Sequence, residues 1–177
     1  MNVKNAKFLV LGGFVVNAIL SGFNFILNLT GGNNPDINLF TRILGLGATL
    51  GIVMGFAFIF LATRDPFNLL ITGGFAITVI PSLLYVLFFI AENITLIELM
   101  TATSAVSSIV YIFTLLLWAF KFYRVSNVKP ALAIAGAVLM VILTALLSSV
   151  IPYPVVALLS VAENAALAFA AFIDYQS

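Results

Sequence analysis

Three charged side chains fall inside apolar stretches of this chain: Arg42, Glu98 and Glu163. A charge at hydrocarbon depth is costly, so each needs a partner, a cavity or a route to the headgroups. Glu163 is the most demanding. It sits in the middle of Val155–Ile173, where the other side chains, apart from Ser160 and Asn164, are apolar or small. As a helix this stretch rises about 28 Å at ~1.5 Å per residue, close to a bilayer's hydrocarbon thickness. No basic residue lies at the same depth. Three roles fit Glu163: a proton or cation site in a transport path, a contact to another subunit or a bound ligand, or a neutral acid hydrogen-bonded to neighbouring helices. Asn17 and Asn24, central in the first apolar run, are its candidate partners, with Asn164 beside it.

Arg42 and Glu98 lie at similar depth, each a few residues below one surface. They are expected to form an outer ion pair, with Glu92 as the alternative partner for Arg42. The competing reading is that both snorkel separately to the headgroups. The stretch from Glu98 to Ser108 also holds Thr101, Thr103, Ser104 and Ser107. Ser104 and Ser108 are candidates for solvating a polar ligand or ion. Helical hydroxyls more often bond the i−4 carbonyl or knit helices together.

What is missing narrows the chemistry further. The chain has no Cys and no His. Disulfides, thiolate clusters, imidazole-ligated metals and any imidazole-based catalytic pair are therefore excluded. No serine has an evident activating base, so an enzyme is not expected. Neither phosphate-binding nor dinucleotide-binding glycine motifs occur in a suitable setting. No metal or cofactor is expected. The net charge of +1 offers no electrostatic footprint for nucleic acid.

The elements that must position these residues follow from composition. Of 177 residues, 63% are hydrophobic and 7% charged, and the mean hydropathy is +1.25. A soluble domain carries roughly a quarter charged residues. So few charges cannot cover a water-facing surface. The expected fold is all-α: a single polytopic membrane domain over 1–177, a compact bundle of six transmembrane helices with short loops. The apolar runs place the spans at approximately 8–27, 39–62, 69–91, 96–120, 131–150 and 155–173. The polar start with Lys4 and Lys7 before an apolar run also fits a signal peptide, but the run is long enough to span, which favours a retained helix.

Three helix faces stand out. In the first span Asn17, Ser21, Asn24 and Asn28 share one face, a stripe suited to a protein interface rather than lipid. In the second, Gly47, Gly51 and Gly55 form a small-residue ridge for close helix packing. In the third, Pro81 predicts a kink, structural or lining a site. The pairs Ile80-Pro81 and Ile151-Pro152 precede Ala91-Glu92-Asn93 and Ala162-Glu163-Asn164 at identical spacing. This would fit an inverted repeat, but so short a match in a biased composition reads first as coincidence.

Lys4, Lys7, Arg64, Lys121, Arg124 and Lys129 fall on one side, and Arg42 alone on the other. The positive-inside rule then places both termini in the cytoplasm (N-in/C-in), in the cell membrane. Trp118, Tyr123 and Tyr175 fit an inner aromatic belt and Tyr153 an outer one. Two Asn-x-Thr matches, at Asn28 and Asn93, are at chance level. Minimal loops, small interface residues and the absence of reactive groups point to a non-catalytic subunit or small-ligand-binding module in a membrane complex. Its partners would be the lipid bilayer and other membrane subunits or a second copy. The alternative is a small solute, proton or ion transporter or channel with Glu163 in the path.

Overall fold

The structure, a computed structural model, describes residues 2–32, 34–91, 94–148, 150 and 152–176, with the side chains of 90–97 outside the description. Among the described residues the chain is all-helical, with six helices: α1 (Val3–Thr30), α2 (Pro35–Thr63), α3 (Pro66–Ala91), α4 (Ile94–Arg124), α5 (Val128–Leu147) and α6 (Tyr153–Gln176). All six are long and apolar enough to cross a membrane. They mark the chain as a membrane protein.

Several helices outrun their apolar stretches because capping groups satisfy their ends. The Asn2 side chain accepts the Asn5 N–H at 2.8 Å. Gly31, at φ 68°, closes α1 with its N–H on the Leu27 carbonyl. That left-handed conformation suits glycine. The Asn34 side chain accepts the Asp36 N–H at 2.8 Å, and Pro35 occupies the first turn of α2. Pro81 lies inside α3, which stays helical on both sides of it. Of the Ala91-Glu92-Asn93 half of the sequence repeat, Glu92 and Asn93 lie outside the described residues.

Each helix packs against the next, and α6 returns to pack against α1. Among the described residues no other pair of helices makes backbone contact, so the six close into a ring. Large apolar side chains such as Phe8, Ile19, Ile26, Phe113, Leu132 and Phe169 point outward. In lipid such faces need no burial, so cohesion rests on close packing and hydrogen bonds. At Gly55 an added Cβ would lie 2.5 Å from Val10 Cγ2 and 2.8 Å from the Ala6 carbonyl oxygen, and at Gly13 2.6 Å from that of Ala48. These two glycines set the α1–α2 approach. Gly51 lies at the edge of this seam, where an added Cβ would be 4.0 Å from the Leu9 carbonyl oxygen, and one at Gly47 would meet nothing within 4 Å. A Cβ at Gly74 would collide with Thr114, so the α3–α4 seam depends on it too.

The two ends of the ring differ. One gathers both termini and the α2–α3 and α4–α5 turns. There Lys7 pairs with Asp174 at 3.1 Å, joining α1 to α6. Lys121 lies 3.9 Å from Asp65 and donates to the Asn68 side chain, joining α4 to α3. Asn68 is buried and donates to Thr63 at 3.0 Å. Above this charged end the axis is filled by Phe14, Phe56, Phe75 and Trp118, one ring from each of α1 to α4. Phe14 stacks on Trp118 (5.3 Å) and Phe56 on Phe75 (5.6 Å), while Phe14–Phe75 (5.8 Å) and Phe56–Trp118 (5.4 Å) meet edge to face. Each ring therefore touches two others, and the quartet closes on itself. Trp118 is wholly buried in it. It does not sit in an aromatic belt, because it faces the ring axis and not the headgroups.

Candidate solute-binding cavity

Above the quartet the ring is not filled. A cavity of about 680 Å³ extends from a floor at Phe14, Ile52 and Phe75 toward Asn28, Asn38 and Tyr153, near the ends of α1, α2 and α6. This is within the ~300–1,000 Å³ range of small-molecule sites. Among the described residues, α5 contributes nothing to its wall.

The α1 stripe supplies much of its polarity. Asn17, Ser21, Asn24 and Asn28 all line the cavity, so the face kept from lipid meets a polar space and not only a neighbouring helix. Asn28 donates back to the Asn24 carbonyl at 2.6 Å. Neither Asn17 nor Asn24 has a side-chain hydrogen bond to the described residues, which leaves both amides available to the cavity.

Glu163 is buried on α6, and its Oε1 accepts the Tyr111 hydroxyl at 2.8 Å. Tyr111 comes from α4, so this bond crosses between two helices that share no backbone contact. Tyr111 also meets Phe75 edge to face at 6.1 Å, which seats it on the quartet. Asn164 donates to Ser21 at 3.1 Å and to the Ser160 carbonyl at 2.9 Å. It ties α6 to the α1 stripe. The candidate residues Glu163, Asn164, Asn17 and Asn24 are thus brought into one cavity, although neither asparagine bonds Glu163.

The hydroxyls are divided. Ser108 lines the cavity and donates to the Ser104 carbonyl at 2.9 Å, whereas the Ser104 side chain is not part of the wall. Thr41, Thr49 and Thr78 likewise donate to carbonyls of their own helices, leaving their oxygens to face the cavity as acceptors.

Arg42 lines the cavity, but its guanidinium carbon lies over the Tyr85 ring at 5.0 Å from the centroid. The structure forms no ion pair between Arg42 and Glu98, whose side chain is exposed on α4. A tyrosine face takes the place of the expected carboxylate. Glu92 lies outside the described residues. Among the described residues no cluster of carboxylates could hold a metal ion.

Sequence reasoning missed Tyr111, Tyr85 and the quartet. The signal was present: Ser107, Tyr111, Thr114, Trp118 and Phe122 recur at helical spacing, as do Thr78, Ser82 and Tyr85. Each set marks the inward face of its helix. Compared with known proteins, the chain has no match among family models, curated proteins or solved structures.

Proposed function

We propose that the protein is a small-solute carrier of the cell membrane, with both termini in the cytoplasm. Its cavity would take a polar solute from outside, and Glu163 would lie in the path. One observation carries this reading. A polar cavity reaching the central carboxylate is enclosed by a single chain, and an aromatic layer separates it from a second polar cluster at the charged end. A subunit serving only as scaffold has no need of a cavity that exposes the amides of Asn17 and Asn24. A carrier needs such a site and also a barrier beneath it.

The orientation rests on the Lys and Arg bias and places the cavity mouth outside. Because these 177 residues include no Cys, single cysteines can be introduced without removing others. In intact cells, Asn24→Cys is expected to react with a membrane-impermeant maleimide added outside. Ile134→Cys, buried on α5, is expected to stay unlabelled. Failure of Asn24→Cys to react from outside, while it does react in inverted vesicles, would reverse the orientation. Failure from both sides would remove the carrier reading.

A further inference from the structure

Among the described residues that line the cavity, one is a carboxylic acid and one a guanidinium base: Glu163 and Arg42. The described residues hold two ion pairs, and neither involves them. Each has a single aromatic side-chain partner and no ion-pair partner. The Tyr85 ring covers one face of the Arg42 guanidinium and spends none of its edge N–H donors. The Tyr111 hydroxyl occupies one position on Oε1 of Glu163 and leaves the rest of the carboxylate open. The remaining wall offers amides and hydroxyls, which accept either sign of partner.

We infer that the solute is a small zwitterion, its ammonium group held at Glu163 beside Tyr111 and its carboxylate held by the free edge of Arg42. This rests on the carrier reading. A cation alone would compensate Glu163 and face Arg42 unpaired, and an anion alone would do the reverse. Glu163 is buried, where a charge without a partner is strongly disfavoured, while Arg42 is exposed toward the mouth with its edge free to take a carboxylate. A ligand bearing both charges satisfies both ends and leaves the filled cavity neutral. Guanidinium and carboxylate also match geometrically, with two parallel hydrogen bonds.

The test uses the purified full-length protein carrying Asn24→Cys, with protection from maleimide as the readout. The probes are glycine, β-alanine and γ-aminobutyrate, their amides (cation only), the matching hydroxy acids (anion only) and glycerol (neutral). At least one zwitterion is expected to protect, with an apparent affinity tenfold or more above its own amide and hydroxy acid. In that background Arg42→Gln is expected to erase the advantage over the amide, and Glu163→Gln the advantage over the hydroxy acid. Arg42→Lys should keep part of it, which separates lost charge from lost folding. Equal protection by amide, hydroxy acid or glycerol overturns the zwitterion and leaves the cavity standing. So does labelling that no probe slows. A cysteine that never reacts overturns the cavity reading and the zwitterion together.

Discussion

Glu163 and Tyr111 hold each other at the bottom of the cavity, and the pair shows what a single residue contributes. The bond is made where water is scarce, so losing the hydroxyl leaves a buried carboxyl group one partner short. Tyr111→Phe is expected to destabilise the protein by about 1–2 kcal/mol in a reversible denaturant titration in mixed micelles. Glu163→Gln retains an acceptor for the same hydroxyl and should cost less. A Phe variant as stable as the parent would show that the bond contributes nothing to folding. Of this pair, Glu163 was legible in the sequence because a lone acid in an apolar run has few explanations. Tyr111 was not, because a tyrosine at mid-span carries no charge to mark it. Arg42 was legible as a residue in need of a partner, but a ring partner cannot be read from charge pairing.

At the scale of helices, hydrophobic runs located all six elements, since a span must be long and apolar. Their ends were less legible. Asn2, Gly31 and Asn34 act through local hydrogen bonds rather than through hydropathy. The glycine ridge of α2 was only partly readable. Residues four apart on an α-helix are rotated by about 40° relative to each other, so Gly47 and Gly55 differ by about 80°. Gly55 faces α1, and Gly47 has turned away. Gly55→Val should therefore force α1 and α2 apart and destabilise by about 1–3 kcal/mol, as overpacking does. Gly47→Ala should stay within about 0.5 kcal/mol of the parent. Detergent thermal-aggregation midpoints of the two variants decide this, and similar losses in both would refute the assignment of the seam.

For the whole molecule, the closed order of helices could not be read from six separate apolar runs. Nothing in their hydropathy says that α6 lies beside α1. What holds the ring across its axis is the aromatic quartet, and it also blocks the axis. Phe56→Ala removes one ring from contact with both Phe75 and Trp118. With this change, Asn68→Cys at the charged end should become reactive to an impermeant maleimide added at the cavity mouth. In the unaltered quartet it should not. Labelling that is independent of Phe56 would place the barrier elsewhere.

The seam between the first and last helices has a consequence for biosynthesis. During translation α1 enters the bilayer long before α6 exists. Until then Ser21 lacks Asn164, and Lys7 lacks Asp174. The amide stripe of α1 must wait in an open arc of five helices, and only α6, made after the other five, can complete the wall. A chain released before that point would present its asparagines sideways to lipid, as a nascent product that membrane quality control can tell from a finished one.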